Sequence, residues 1–393
     1  MAAKIFIAAD IFPPDIGGPA TYAASLARAL LVRGYEVRVL CYGKSGQQKI
    51  QKWPFMVNFV SKRWPMPVRY FLYFIKLLFL SRSFPVIYAQ GPVTAGLSGW
   101  LVKKITGKRL VVKVVGDYAW EQARMLKKSE QGIDDWQIKP QYYATRFFDK
   151  IKLRLWAERK VTYEADKVVV PSHYLKKIVT GWGVASEKIE VIYNTVSFTA
   201  TSQEPTKAEA KQKIGVSGDI IFSAGRFTPW KGFDFLIRLM PELLKINPNF
   251  KFIIAGEGIE LENYQKTIRE LGLLEKVFLP GVLDKKQMGD YFRAADIFLL
   301  NSGYEGLAHA VLEAMKYHVP VIVSDMGGNS EIVDNEINGL LVPYNDQDGW
   351  LEAIVRLWRD KKLYQLFAAT KMPDLPCFNY DEIMVALLKV LIP

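Results

Sequence analysis

Cysteine and histidine are scarce in this 393-residue chain: two cysteines, Cys41 and Cys377, and three histidines, His173, His309 and His318. Two cysteines so far apart form no disulfide framework and no metal-ligand cluster, which fits a reducing compartment and makes the cytosol the expected location. Nothing in the histidine spacing suggests a metal site. Long apolar runs are missing as well. The start has one lysine and then a five-residue apolar run ending at Asp10, too short for the core of a signal peptide. The most apolar long stretch, Val68 to Leu80, is broken by Arg69 and Lys76 and falls short of the roughly 20 residues of a spanning helix. No transmembrane segment is therefore expected. With 50% hydrophobic and 23% charged residues, the composition is that of a folded globule and excludes a disordered or fibrous chain.

The length favours two domains, each long enough to bury a core. Charge divides unevenly between them. Residues 1–198 hold 31 Lys+Arg against 14 Asp+Glu, whereas the remainder holds 21 against 26. A basic first half is suited to nucleic acid, an acidic substrate or an anionic membrane surface, unless its lysines are merely solvated.

Strand-like and helix-like segments alternate. Lys4 to Ala9 reads as a strand, Pro13 to Pro19 as a Pro/Gly loop, Ala20 to Arg33 as an amphipathic helix and Glu36 to Cys41 as the next strand. The alternation recurs through Val86–Gln90, Thr94–Thr106, Arg109–Val115, Lys150–Tyr163 and Lys167–Val170. It stops near Asn194, where the polar stretch Thr199 to Thr206 suggests the domain boundary. A second series then runs from Asp219–Ala224 through Phe250–Ala255, Val277–Leu279, Ile297–Leu300 and Val321–Ser324 to Ile332–Asn335 and Gly339–Val342, ending with helices near Trp350 and Met384. The predicted fold is α/β, with two Rossmann-like, doubly wound domains facing each other across a cleft. They cover 1–198 and 199–378, with a C-terminal helix at about 379–393 packing back on the first.

Three loops carry candidate chemistry. Glu305 and Glu313 bracket a helix start after the strand Ile297–Leu300, and free N–H groups at Gly306 and Leu307 would suit a phosphate there. The alternative makes Glu305 a cap and Glu313 a solvated side chain. Gly225 to Gly232 holds Arg226 and Lys231 in a glycine-bounded loop with a proline, near the carboxyl end of Ile220–Ala224. Two fixed cations there could meet the charge growing on a diphosphate leaving group without a metal, although they could also be ordinary surface cations. Gly17 and Gly18, after the first strand, would let backbone approach a ligand, or simply form a tight turn.

These residues resemble the retaining glycosyltransferases of family 4, which have the GT-B fold. The resemblance extends to Pro171-Ser172, Lys188 to Val196, Gly256-Glu257-Gly258, Gly281, Gly327 to Val333 and Asn338 to Pro343, and so covers most of the chain. It implies that Arg226 and Lys231 bind the donor diphosphate and that Glu313 hydrogen-bonds the ribose. It further implies that Glu305 with the Gly306 and Leu307 amides holds the transferred sugar, while Gly17 and Gly18 border the phosphates and acceptor. Base contacts are expected from backbone near Gly281 and Val282. The expected activity is retaining, metal-independent transfer of a hexose-type sugar from a nucleoside-diphosphate sugar to a lipid-linked or saccharide acceptor, in glycan or glycolipid synthesis. No cofactor is expected, the nucleotide sugar being the donor substrate.

One departure stands out. Where the family commonly has a histidine, this chain reads Val114-Val115-Gly116-Asp117. Asp117 either takes over the contact with the sugar's outer hydroxyls or serves as a structural turn residue. The stretch Ser61 to Arg82 interleaves Arg63, Arg69, Lys76 and Arg82 with Trp64, Tyr70, Phe71, Tyr73, Phe74 and Phe79. Such a helix either lies in a membrane interface or belongs to the first domain's core; the basic charge favours peripheral contact with an anionic inner membrane face over a nucleic-acid partner. Rival readings are a nicotinamide-dependent dehydrogenase, a nucleotide-sugar epimerase or sugar phosphorylase, and a non-catalytic binding module. The dehydrogenase draws on Gly256-Glu257-Gly258, but its fingerprint lacks the third glycine, position 261 being Leu.

Overall fold

The computed structural model describes residues 3–15, 17–43, 53–138, 149–194, 205–370 and 379–392. Cys377, Ile16 and most of the polar stretch expected at the domain boundary lie outside the described residues. Two compact units emerge. One gathers Met1–Ala123, Asp134–Ile192 and Asp381–Pro393, the other Arg124–Ile133 and Tyr193–Tyr380.

In the first unit the chain runs β1 (Lys4–Ala9), α1 (Gly18–Val32), β2 (Glu36–Gly43), β3 (Met56–Ser61), α2 (Met66–Leu80), β4 (Val86–Gln90), α3 (Ala95–Thr106) and β5 (Arg109–Lys113). It continues with α4 (Tyr118–Met125), α5 (Ile133–Ile138), α6 (Lys150–Glu164), β6 (Lys167–Val170), α7 (His173–Gly181) and β7 (Ile189–Val191). All seven strands are parallel, in the order β3-β2-β1-β4-β5-β6-β7. Continuous apolar runs such as Ile5–Ala9 are buried on both faces, as a parallel sheet covered by helices requires. Side-chain caps fix helix starts: Asp149 accepts from Ile151 N at 2.8 Å and Ser172 from Leu175 N at 3.1 Å.

The second unit repeats the plan. It contains α8 (Lys207–Ile214), β8 (Asp219–Ala224), α9 (Phe233–Ile246), β9 (Phe250–Ala255), α10 (Leu261–Glu270), β10 (Val277–Gly281) and α11 (Lys285–Ala294). Then follow β11 (Ile297–Leu300), α12 (His309–Lys316), β12 (Val321–Ser324), β13 (Leu340–Val342), α13 (Gln347–Arg359) and α14 (Lys361–Ala369). Its six parallel strands are ordered β10-β9-β8-β11-β12-β13. A capping box, with Thr206 accepting from Glu209 N while Glu209 accepts from Thr206 N at 2.7 Å, starts α8. The last helix, α15 (Tyr380–Leu391), buries Met384, Leu387, Val390 and Leu391 in the first unit's core, and Arg109 Nη2 donates to Val390 O at 2.9 Å.

In both sheets the strand order reverses direction beside the first strand, between β1 and β4 and between β8 and β11. Ligands of doubly wound sheets bind outside the carboxyl ends of strands at such a switch point.

Several elements depart from the sequence reading. Strand β3 and helices α4, α5 and α7 were not foreseen, and Ile332–Asn335 forms no strand, only Asn335 bridging to Gly339. Helix α2 buries only Tyr73 and Leu77, while Phe71 and Phe79 are 61% and 51% exposed. A core role therefore fails for Phe71 and Phe79 and holds for Tyr73 and Leu77.

Candidate functional site

The loops that follow β8 and β11, on either side of the second sheet's switch point, carry Lys231 and Glu305. Strand β8 ends at Ala224, and its loop is held to β9 and the turn after it: Gly225 N donates to Ala255 O at 3.0 Å and Phe227 N to Glu257 O at 2.8 Å. Phe227 is buried against Phe233 and Tyr264, with ring centroids 5.8 and 5.1 Å away. A one-turn 3-10 helix, Pro229–Lys231, then delivers the lysine. Trp230 is buried, and its carbonyl accepts from Gly303 N at 2.7 Å, tying this loop to the one after β11.

Across that tie Lys231 Nζ donates to Glu305 Oε1 at 2.5 Å, with side chains only 14% and 11% exposed. Charges so far out of water hold each other because the alternative is an unpaired ion. The Glu305 backbone is itself fixed, its carbonyl accepting from Gly328 N at 2.8 Å. Backbones approach so closely here that a Cβ on Gly328 would lie 2.5 Å from Gly306 O, which excludes any side chain at that position. Gly306 and Leu307 are buried, and no described group accepts from their N–H groups. They precede α12, whose N-terminal end concentrates positive potential. Arg226 leaves the same loop as Lys231 with an exposed side chain.

Glu313 lies in α12, half-buried, and burial raises its carboxyl above the ordinary range, partly offset by Lys285 and Lys316. At the end of β10, Gly281 O accepts from Gly256 N at 2.9 Å, and the neighbouring Val282 is 39% exposed. The Gly256-Glu257-Gly258 turn has a packing explanation: a Cβ on Gly256 would lie 1.9 Å from Gly225 O. This close approach positions the loop of Arg226 and Lys231, so the glycines do not need a dinucleotide to explain them.

In the first unit, Gly17 and Gly18 start α1 directly after the loop that follows β1. Asp117 requires a correction. Its side chain is fully buried, with Oδ1 accepting from Trp120 N at 2.8 Å and Oδ2 from Gln137 Nε2 at 2.9 Å. Gln137 in turn accepts from Trp182 Nε1 at 2.9 Å. Beside it Glu158, also buried, accepts from Tyr118 N and Ala119 N at 2.6 and 3.1 Å. Asp117 thus caps α4 from inside the domain, as the structural-turn alternative has it, rather than being free to meet a sugar's hydroxyls.

The sequence reading missed the buried polar frame under the Glu305 loop. Ser324 Oγ donates to Ser302 O at 2.6 Å and accepts from Ser302 N at 3.0 Å, while Asn329 Nδ2 donates to Ser324 O at 2.9 Å. Asn301 Nδ2 donates to Asn345 Oδ1 at 2.8 Å. The polar pair Asn301-Ser302 directly after an apolar strand was the available signal.

Residues 206–371 match the model of the glycosyl transferases group 1, and residues 16–199 that of glycosyltransferase family 4. An uncharacterised glycosyltransferase of Methanocaldococcus jannaschii is 32% identical over 205 residues, 51% of this chain and 52% of that protein. The match thus spans about half of that relative. A UDP-Gal:α-D-GlcNAc-diphosphoundecaprenol α-1,3-galactosyltransferase of Escherichia coli is 26% identical over 295 residues, covering 73% of this chain and 69% of that one. Among solved structures, HepE of Anabaena in complex with UDP and glucose superposes with a TM-score of 0.79 at 18% identity, covering 99% of both chains. Sucrose-phosphate synthase of Thermosynechococcus elongatus gives 0.80 at 19% identity, covering 99% of this chain and 98% of that one. Both share the fold of two parallel-sheet α/β domains.

Proposed function

Since the chain belongs to the family 4 glycosyltransferases, we propose that it moves a sugar from a nucleoside-diphosphate donor on the second unit to an acceptor hydroxyl on the first. The Lys231–Glu305 ion pair at the switch point carries this reading. When a donor arrives, Lys231 turns its ammonium to the diphosphate together with Arg226, and Glu305 is left to accept hydrogen bonds from the transferred sugar. The Gly306 and Leu307 amides supply further donors. Glu313, supported by Lys285 and Lys316, accepts from the ribose hydroxyls, and backbone around Gly281 and Val282 borders the base.

In the transfer step the acceptor oxygen bonds to the anomeric carbon as the carbon–oxygen bond to the diphosphate breaks. The departing phosphate oxygen takes the acceptor's proton. Attack on the face the leaving group vacates retains configuration, and the two cations meet the diphosphate charge without a metal ion in the reaction. The transferred group is read as a hexose and the acceptor as a lipid-linked or other saccharide. Gly17 and Gly18 would let backbone border it.

A lipid-linked acceptor is supported by α2. Its residues Met66–Leu80 include no acid, and beside Arg69 and Lys76 it exposes Phe71 and Phe79. Trp64, just before it, is 53% exposed, and the Arg82 guanidinium sits 4.5 Å over the Phe79 ring. This face suits an anionic interface, cations at the phosphates and aromatics below. No helix among the described residues is long and apolar enough to cross a membrane.

Thermal unfolding with UDP and GDP tests the donor reading. A ligand at a hundred times its Kd adds about 2.7 kcal/mol, and Lys231→Ala should remove that gain. Transfer from UDP-glucose, UDP-galactose or GDP-mannose to a short-chain diphosphate-linked N-acetylglucosamine then tests the acceptor. Stabilisation by neither nucleotide would defeat the proposal.

A further inference from the structure

The first sheet has its own switch point, and beside it stands an acid that the transferase reading leaves unused. Asp10 follows β1 directly. Its Oδ1 accepts from Ala95 N, the first residue of α3, at 3.0 Å, and Thr94 adds a side-chain hydrogen bond. Gly91, at the end of β4, leaves the space next to the other oxygen open: a Cβ there would lie 3.6 Å from Oδ2.

Helix capping would explain an aspartate here, but not its neighbours. The Tyr42 hydroxyl from β2 is buried without a hydrogen-bond partner, in a residue 5% exposed, and the Nε of Arg69 from α2 is likewise buried and unpartnered. The Arg69 guanidinium lies 5.1 Å over the Tyr42 ring. Buried polar atoms are nearly always satisfied, so two orphans around one carboxyl group mark a place where a ligand's polar atoms complete the set. Tyr70 reaches Thr94, its hydroxyl 3.3 Å from Thr94 Oγ1, whereas the Tyr73 hydroxyl is occupied by Ala9 O and Leu40 O. Tyr118, at the start of α4, is 39% exposed and feels the charge of Asp10.

We propose that Asp10, Tyr42 and Arg69 form the subsite that binds the sugar hydroxyls of the acceptor on the first unit, an inference that rests on the transferase reading above. The chemistry selects a polyol. A carboxylate accepts from neighbouring hydroxyls while phenol and guanidinium donate to a third oxygen. A phosphate in the same place would be repelled by the carboxylate.

Burial pushes the Asp10 carboxyl up to about 7, against the opposing pull of the Ala95 N–H, Thr94 and Arg69. Of the tyrosines facing it, Tyr42, Tyr73 and Tyr118 are pushed further up by burial and remain neutral at that pH. Acceptor binding should therefore strengthen as pH rises through 7 and the carboxylate forms.

Saturation-transfer NMR of the full chain with octyl glucoside, octyl galactoside and octyl N-acetylglucosaminide reads this binding without any donor. At least one glycoside should bind about tenfold more tightly at pH 8 than at pH 6. Asp10→Asn, which keeps an oxygen for Ala95 N, should lose about tenfold at pH 8 and lose the pH dependence. Tyr42→Phe should lose about fivefold and keep the pH dependence. Stabilisation by UDP should be the same in both variants as in the parent. No binding of any glycoside, binding flat with pH, or parental affinity in both variants would overturn the subsite. Failure of both UDP and GDP to stabilise the parent protein would count against the donor reading alone.

Discussion

At the scale of single residues, Lys231 and Glu305 neutralise each other across two loops, and the proposed function has them separate to hold a donor. Lys231→Ala should lower kcat/KM by about 10²- to 10³-fold in a donor-turnover assay, as loss of a preorganised charge donor does. It should also destabilise the chain by about 1–3 kcal/mol in denaturant unfolding, because Glu305 is left with little water and no cation. Asp10 behaves in the opposite way. Its folded-state carboxyl titrates near 7 against an ordinary 3.8, so the native protein binds the extra proton and stability declines as pH climbs from about 4 to 7. Asp10→Asn should consequently be more stable than the parent at pH 8, by about 1–3 kcal/mol after allowing for water around a half-buried group, and nearly equal at pH 4. Thermal scans at the two pH values check this. Lys231 and Glu305 could be found from sequence because each lies in a short loop directly after an apolar strand. Asp10 could not, since Tyr42, Arg69 and Ala95 reach it only through folding. Asp117 stays open between two readings in the sequence because a cap and a sugar ligand look alike until burial is known.

At the scale of elements, the Glu305 loop is positioned by backbone packed on backbone. Gly328→Ala would drive a Cβ into Gly306 O, so the loop must shift. Turnover should fall at least tenfold, with a stability loss of about 1–3 kcal/mol in urea unfolding. Helix α2 presents a different prediction. Replacing Phe71 and Phe79 together by Ser removes exposed apolar surface without touching Tyr73 or Leu77. Sedimentation with phosphatidylglycerol vesicles should drop severalfold while the melting temperature holds; unchanged sedimentation would remove the membrane reading. Apolar strands such as Ile5–Ala9 and Phe252–Ala255 were legible because both faces are buried, leaving uninterrupted hydrophobic runs. Strand β3 escaped notice as a half-exposed edge carrying Asn58, and α4 because Glu121, Gln122 and Arg124 interrupt its apolar positions. Strand order has no local signature, so the two switch points became visible only in the sheets.

At the scale of the whole molecule, the chain builds two units of the same plan yet does not finish the first before starting the second. The segment Arg124–Ile133 groups with the second unit, and α15 returns to complete the first unit's core. Removing residues 380–393 would expose the partners of Met384, Leu387, Val390 and Leu391. Four buried apolar side chains at about 1.5–3 kcal/mol each exceed much of a typical domain's stability. Circular dichroism should show the first unit largely unfolded in that variant, while UDP still protects the second from proteolysis. Synthesis therefore leaves the first unit's core unsealed until α15 emerges. A chain halted before α15 could, on the proposed reading, already grip a nucleotide while the first core stood open, so this helix works as a latch that closes only after both units have been made.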